Sequence, residues 1–277
     1  MNFVLASPTG LCFGVKRAIE RLEDALRKYG KVYSLGSPIH NPQEVERLSS
    51  LGLEVVNDVR GISDGVVSFV RAHGAARDEL AELRRRCRVV MDGTCPFVKT
   101  AQDRAESLSA EGYGVVILGD SGHPEVKGIL GHVLGKSLVI EGADGIDGGR
   151  RYGKTGILSQ TTQKEEILAE VVSKFVFLAD DIKVYNTVCR ATTERRDAVK
   201  KLASSVDALV VIGGKNSANT RELFEAAEST GVFSLWVEQA EELNWGWLKG
   251  KGTIGVAAGG STPDWLINEL TCKLKRL

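Results

Sequence analysis

Three cysteines, Cys12, Cys95 and Cys189, are the residues of this sequence whose spacing first points to chemistry. They lie 83 and 94 residues apart, which is close to one third of the 277-residue chain. The segments around the first two share the pattern C-x-x-V-K-x-A, and all three precede predicted helices. A helix N-terminus favours thiolate, the form of cysteine that binds metal. We therefore expect three thiolates from three similar parts of the chain.

The spacing of these cysteines favours an iron–sulfur cluster over structural zinc. Structural zinc takes four ligands, usually in short C-x2-4-C pairs, and the sequence contains no such pair. A cubane cluster normally takes four cysteines, so three would leave one iron open to act as a Lewis acid. The alternative is that each cysteine is a small buried hydrophobe. We keep that interpretation for Cys87 and Cys272, which lie outside the repeat.

Two further groups of polar residues repeat with the cysteines. His40, His123 and Ser217 each lie 28 residues after one of them, between a predicted strand and a predicted helix. A third group ends other predicted strands and consists of His73, Thr161, Thr162 and Ser261. Because ligands of parallel α/β sheets bind beyond the carboxyl ends of the strands, we expect these loops to surround one cavity. The alternative is chance similarity among turns, which favour Ser, Thr and Asn.

The side chains in these loops are suited to binding a phosphate or diphosphate. Imidazoles and helix N-terminal polar groups donate hydrogen bonds to such anions, and no Walker A or G-x-G-x-x-G pattern is present to do so. The candidates are His40, His73, His123, Ser217, Asn219 and Ser261. The polar ones could instead be ordinary helix caps, and the histidines solvated loop residues. We interpret His132, in a predicted helical segment, as structural.

Glu125 is the candidate proton donor, since it lies two residues after His123 in the first turn of a predicted helix. A carboxyl group whose pKa is raised by burial can deliver protons to a bound substrate. The alternative is a favourable interaction with the helix dipole. Thr161 and Thr162 could pass a proton on or bind a hydroxyl, or could cap a helix.

The elements that must position these residues alternate along the whole chain. Short β-branched runs such as NFVLAS, KVYSLG, ALVVIGG and TIGVAAGG are each followed by an amphipathic segment. This alternation is typical of α/β folds with largely parallel sheets. Together with the repeat, it predicts three similar α/β lobes in a pseudo-threefold arrangement around a central iron–sulfur cluster. The predicted lobes are 14–96, 97–190 and 191–277, and the N-terminal strand, 1–13, would carry Cys12 to the centre.

Charge and composition restrict the partners. The chain has 36 basic and 36 acidic residues, which gives no electrostatic case for nucleic acid or an anionic membrane as the main partner. A small anionic ligand remains compatible with this balance. No secretory signal and no run of 18 apolar residues is visible, so we expect a cytoplasmic protein with reduced thiols.

The motifs LCFGVKRAI, PIHNP, RAHG, DGTCPFV, GHPEV, SQTT, NTVC, KNSANT and GGSTP occur in this order and span the chain. Together they resemble those of the hydroxymethylbutenyl diphosphate reductases, the LytB-type family. The resemblance implies an iron–sulfur oxidoreductase with a 4Fe–4S cluster on Cys12, Cys95 and Cys189. It also implies reductive dehydroxylation of (E)-4-hydroxy-3-methylbut-2-enyl diphosphate to isopentenyl and dimethylallyl diphosphate, the last step of the methylerythritol phosphate route to isoprenoids.

The resemblance also implies roles for the loop residues. Glu125, aided by Thr161, would protonate the departing hydroxyl, and Ala218 departs from the family pattern, which often has a second hydroxyl there. The substrate would be bound by His40, His73, His123, Thr162, Ser217, Asn219 and Ser261.

An external one-electron donor such as ferredoxin or flavodoxin is expected from the family, and no flavin or nicotinamide fingerprint is visible. Two alternatives stay open at this point. An aconitase-like iron–sulfur hydro-lyase would use the same cluster without net reduction. A non-enzymatic metal- or phosphate-binding module would use the cysteines structurally.

Overall fold

The computed structural model describes residues 2–276, so residues 1 and 277, the ends of the predicted N-terminal strand and third lobe, lie outside the described residues. Strands and helices alternate along this range, as the sequence predicts. The strands are β1 Asn2–Leu5, β2 Val32–Leu35, β3 Leu53–Val56, β4 Val67–Val70, β5 Val89–Asp92, β6 Gly114–Leu118, β7 Ser137–Ile140, β8 Tyr152–Ser159, β9 Ala179–Val184, β10 Ala208–Ile212, β11 Ser234–Val237 and β12 Thr253–Ala258.

Within residues 2–276, α-helices follow nine of these strands, and 3-10 turns follow β3, β7 and β11. The helices are α1 Phe13–Tyr29, α2 Pro42–Ser50, α3 Arg77–Arg86, α4 Pro96–Ala110, α5 Pro124–Leu130, α6 Glu165–Val176, α7 Arg190–Ala203, α8 Ala218–Glu228 and α9 Asp264–Lys275. Short 3-10 turns add to the connections. Within residues 2–276, no helix combines the length and the apolar character that a membrane crossing requires.

The strands form three four-stranded sheets, and every ladder is parallel. Sheet A has the order β1-β12-β10-β11, sheet B the order β3-β2-β4-β5, and sheet C the order β7-β6-β8-β9. An α/β fold with three parallel-sheet lobes is therefore confirmed. The lobe boundaries at 96/97 and 190/191 stay a prediction.

The three sheets share one topology when each is followed from the edge strand that precedes a cysteine. These edge strands are β1, β5 and β9. The next strands, β12, β4 and β8, lead to the third group of polar residues, and β10, β2 and β6 lead to the residues at the 28-residue spacing. Sheet B therefore contains the strands that precede His40, His73 and Cys95. The strand before Cys12 pairs with β12 of the last third, with Asn2 opposite Thr253.

The contacts divide the chain into two compact units. One contains the chain up to Lys16, Ile39–Ser50 and the chain from Arg190 onward. The other contains Arg17–Pro38 and Leu51–Cys189. Sheet A belongs to the first unit, and sheets B and C belong to the second.

Apolar side chains cover both faces of the central strands. In β10, Val210 and Ile212 pack into a cluster that includes Leu270 of α9. Leu209 and Val211 alternate with them and pack on the other face with the helices α7 and α8. A parallel strand that is buried on both faces has a continuous apolar sequence. This explains the sequence of β10, ALVVI. Its polar residues are therefore found beyond the carboxyl end, where the loops begin.

Candidate active site

Each repeat cysteine lies at a junction between a strand and a helix. Cys12 precedes α1, Cys189 precedes α7, and Cys95 is the N-cap residue of α4. All three are half-buried, and none of the five cysteines, all within the described residues, forms a disulfide. Cysteine sulfur is a donor that metals and iron–sulfur clusters take.

The same backbone hydrogen bond fixes the position of each of these cysteines. The N–H of Cys12 donates to the carbonyl of Gly260 at 2.9 Å, and that of Cys95 donates to Ala72 at 2.9 Å. The third bond runs from the N–H of Cys189 to the carbonyl of Thr161 at 2.7 Å. In every sheet, therefore, the cysteine loop is tied to the loop that follows the neighbouring strand. Chance similarity does not explain a backbone contact that recurs at equivalent places.

Cys87 and Cys272 have different surroundings. Cys87 is the C-cap residue of α3 and lies between that helix and β5. Cys272 is exposed in the C-terminal helix α9. The structure thus places both outside the strand-to-helix junctions, in line with their exclusion from the predicted ligand set.

Glu125 is a buried carboxyl group in the first turn of α5, with only 2% of its surface exposed. The N–H of Thr161 donates to its Oε1 at 2.6 Å, and the Thr161 hydroxyl donates to its Oε2 at 2.9 Å. Burial raises the pKa of Glu125 to about 7, although the two hydrogen bonds from Thr161 act to lower it. Near neutral pH the group can therefore both hold and release a proton.

His123 is the N-cap residue of α5, and its Nδ1 accepts a hydrogen bond from the N–H of Glu125 at 3.2 Å. A neutral imidazole whose Nδ1 accepts carries its proton on Nε2. The ring meets that of His73 edge to face, with centroids 5.4 Å apart. Two histidines from loops of sheets B and C are thus brought together, one with Nε2 as a donor suited to an anionic oxygen.

Ser217 and Ser261 lie side by side at the carboxyl ends of β10 and β12. Ser217 is the N-cap residue of α8, and its hydroxyl accepts from the N–H of Thr220 at 3.3 Å. The Ser261 hydroxyl donates to that of Ser217 at 3.0 Å and lies 3.4 Å from the carbonyl of His40. A Cβ on Gly214 would approach this carbonyl to 2.4 Å, so glycine allows the close approach of the His40 loop.

Asn219 connects helix α7 to the loop of Gly260, whose carbonyl accepts the backbone hydrogen bond of Cys12. Its Oδ1 accepts from the N–H of Gly260 at 2.8 Å, and its Nδ2 donates to the hydroxyl of Thr192 at 3.1 Å. Because the carbonyl of Gly260 also accepts from Cys12, the amide of Asn219 supports the backbone beside that cysteine.

Three residues that support the loops of the site were not predicted from the sequence. Thr187 exchanges hydrogen bonds with the backbone of Ser159 and so ties the Cys189 loop to β8. Gln160 donates from Nε2 to the hydroxyl of Thr162 at 2.9 Å, and Thr192 supports Asn219. Their only sequence signal is proximity to a motif. Each acts through a hydrogen-bond partner that a single sequence does not reveal.

His132 is buried, as expected of a structural residue. It lies in the turn after α5, however, because that helix ends at Leu130 with Gly131 as its C-cap. The helical placement predicted for His132 is therefore wrong. Burial lowers the pKa of His132, which favours the neutral ring.

The family model described as LytB protein matches residues 3–275. This chain belongs to the LytB family. Membership confirms the resemblance predicted from the nine motifs. LytB proteins are iron–sulfur enzymes, which agrees with the donor set of half-buried cysteines described above.

Named LytB relatives match the chain over its full length. A protein of Geotalea uraniireducens (strain Rf4), named 4-hydroxy-3-methylbut-2-enyl diphosphate reductase, is 43% identical over 277 residues, covering 100% of this chain and 98% of its own. A protein of Aquifex aeolicus (strain VF5) with the same name is 40% identical over 281 residues, covering 100% of this chain and 97% of its own.

Solved structures agree with the LytB assignment. The structure of an (E)-4-hydroxy-3-methyl-but-2-enyl diphosphate reductase, described as the terminal enzyme of the non-mevalonate pathway, is 39% identical and matches 100% of both chains with a TM-score of 0.77. An E-1-hydroxy-2-methyl-but-2-enyl-4-diphosphate reductase from Plasmodium falciparum gives a TM-score of 0.87 over 100% of this chain and 87% of its own at 23% identity. The second likeness shows the shared fold.

Proposed function

We propose that this chain catalyses the reductive dehydroxylation of (E)-4-hydroxy-3-methylbut-2-enyl diphosphate to isopentenyl and dimethylallyl diphosphate. The observation that carries the proposal is the match of the whole chain to relatives at least 40% identical that are named as this reductase. The reaction would be the last step of the methylerythritol phosphate route. A cytoplasmic location, expected from the sequence, is part of the same proposal.

The proposed cofactor is a 4Fe–4S cluster with three cysteine ligands, Cys12, Cys95 and Cys189, and one open iron. When bound, such a cluster supplies a Lewis acid and transfers single electrons. Support comes from the equivalent place of the three cysteines in their sheets and from their shared hydrogen bond to the neighbouring loop. Cys87 and Cys272 have neither feature.

The diphosphate is proposed to bind at the loops beyond the carboxyl ends of the strands. The Nε2 donor of His123 and the helix N-terminus capped by Ser217 are suited to anionic oxygens. Ala218, next to Ser217, offers no hydroxyl, which would weaken binding by about 1 kcal/mol. The full proposed set is His40, His73, His123, Thr162, Ser217, Asn219 and Ser261.

Glu125 is the proposed proton donor, and Thr161 its relay. The reaction takes up two electrons and two protons while the C–O bond breaks. One proton leaves with the hydroxyl as water, and the other forms the new C–H bond at either end of the allylic system, which gives two products. A carboxyl group with a pKa near 7 beside a hydroxyl can supply the first of these protons. The electrons are proposed to come from an external one-electron donor such as ferredoxin or flavodoxin.

The rival reactions are separated by their need for electrons. An aconitase-like hydro-lyase would add or remove water without net reduction, and a non-enzymatic binding module would release no product. The names of the full-length relatives favour the reductase.

The test is turnover by the anaerobically purified holoenzyme with a reduced one-electron dye as donor. We expect dye oxidation that depends on the substrate, with two dye molecules oxidised for each molecule of isopentenyl or dimethylallyl diphosphate formed. Consumption of the substrate without reductant, by addition or loss of water and without isopentenyl or dimethylallyl diphosphate, would contradict the reductase and support the hydro-lyase. Failure to consume the substrate with an intact cluster would overturn the proposed substrate.

A further inference from the structure

A cavity of about 380 Å³ lies at the amino ends of β6, β7 and β8. These strands begin at Gly114, Ser137 and Tyr152. The proposed active-site residues of sheet C follow the carboxyl ends of its strands, so the cavity lies at the opposite edge of the sheet. Its volume is at the lower end of the range for small-molecule sites, about 300–1,000 Å³.

Basic side chains dominate the charge of this cavity. Lys136, Arg150, Arg151 and Lys154 are among the lining residues, which include no aspartate or glutamate. Arg151 is neutralised, because its guanidinium forms an ion pair with Asp180 at 2.8 Å. The other three cations therefore determine the potential inside the cavity.

Lys136, Arg150 and Lys154 have no carboxylate partner within ion-pair distance in the described part of the chain. The guanidinium of Arg150 lies over the ring of Tyr152 at 5.1 Å. Asp181 faces Lys154 across the β8–β9 ladder, and the carboxylate of Glu111 also interacts electrostatically with Lys154. These acidic groups offset the charge of Lys154 and leave Lys136 and Arg150 as the main cations. The cavity keeps a net positive charge.

Glycines leave the walls of this cavity open. Gly112, Gly114 and Gly153 line it, and a Cβ on Gly112 or Gly153 would meet no atom within 4 Å. Space next to backbone and basic side chains is thus available to a ligand. A concave surface with unpaired cations focuses positive potential and concentrates anions.

We propose that this cavity binds a small molecule that carries two or more phosphate groups. Lys136 lies just before β7, and Arg150 and Lys154 flank the start of β8, so the cations approach from separate segments. Three cations complement the several negative charges of a chain of phosphates better than the charge of a single phosphate group. Lysine and arginine are the usual phosphate-binding side chains. The site is separate from the proposed reaction, and its ligand need not be a substrate.

Amide NMR of the holoenzyme, titrated with inorganic tripolyphosphate at constant ionic strength, tests the proposal. We expect saturable shifts at Gly112, Gly114 and Gly153. The combined Lys136→Ala and Lys154→Ala substitutions should weaken binding at least about tenfold. Lys200→Ala with Lys201→Ala, which removes the same charge from exposed residues at the end of α7, should leave binding unchanged.

The outcomes separate specific binding from general attraction. Absence of shifts at the three glycines, or equal weakening in both double variants, would overturn the proposal. Because the readout is local to the amino edge of sheet C, it is independent of turnover. Loss of the reductase activity would leave these shifts in place, and loss of the shifts would leave the reductase proposal untouched.

Discussion

Glu125 and Thr161 are joined by two hydrogen bonds although they are 36 residues apart in the chain. Glu125 lies in the first turn of α5, after β6, and Thr161 follows β8, the next strand in sheet C. Thr161 also accepts the N–H of Cys189 through its carbonyl. One threonine therefore contacts the proposed proton donor through its side chain and a proposed cluster ligand through its backbone. This pairing underlies the first two predictions.

The stability of the protein should depend on the protonation of Glu125. Burial raises its pKa to about 7 from 4.5, so its contribution is fully present below pH 4.5 and is lost as the pH rises through 7. From pH 5 to pH 8 the wild type should lose about 2–3 kcal/mol of unfolding free energy that Glu125→Gln does not lose. Denaturant unfolding of both proteins measures the difference, and other groups cancel in the comparison. Parallel pH profiles would contradict the raised pKa.

Turnover should depend more strongly on Glu125 than on Thr161. Glu125→Gln should abolish turnover while it retains iron and sulfide, because the amide cannot donate the proton. Thr161→Val should lower kcat by about 10²-fold, since it removes the hydroxyl relay, whereas Thr161→Ser should keep most of the activity. Steady-state kinetics with a reduced dye checks both. Equal activity of the valine and serine variants would exclude a relay through the Thr161 hydroxyl.

The sequence predicts which residues lie at the ends of strands better than it predicts which strands pair with one another. Alternating apolar runs locate strands, so Cys95, His123 and Ser217 could be placed at strand ends in advance. Pairing of strands is decided by tertiary packing, so the sequence did not show that the strand before Cys12 joins the sheet of Ser217. In the sequence repeat, a polar residue follows each cysteine by 28 residues. In the fold, the strand before a cysteine joins the sheet of the preceding polar residues, as β5 before Cys95 joins the strands that lead to His40 and His73.

The hydrogen-bond partners of the site's side chains could not be predicted either, because they also depend on tertiary packing. The contact between Asn219 and Thr192 joins residues 27 apart on different helices, and the burial of Glu125 depends on its surroundings in the fold. Neither has a local pattern. The sequence could supply residue types and approximate places, while the raised pKa of Glu125 requires the folded chain.

Iron and sulfide content should separate the three repeat cysteines from the other two. Cys12→Ser, Cys95→Ser and Cys189→Ser should each lose most of the cluster, because a serine replaces one of three thiolate ligands. Cys87→Ser is the matched control and should retain about four irons and four sulfides per chain. Elemental analysis and absorption spectra of anaerobically purified proteins provide the measurement. Retention of iron by any of the three variants would remove that cysteine from the ligand set.

Ala218 offers a test of diphosphate binding by gain of function. It is the first residue of α8, directly after the N-cap Ser217, where a hydroxyl could donate to an anion at the helix N-terminus. Ala218→Ser should tighten substrate binding by about 1 kcal/mol, which lowers Kd about fivefold. Ala218→Val adds bulk without a donor and serves as the control. Titration of both variants with substrate in the absence of reductant measures Kd without turnover. An equal Kd for the serine variant and the wild type would place the diphosphate away from the N-terminus of α8. It would also contradict the proposed substrate contacts of Ser217 and Asn219.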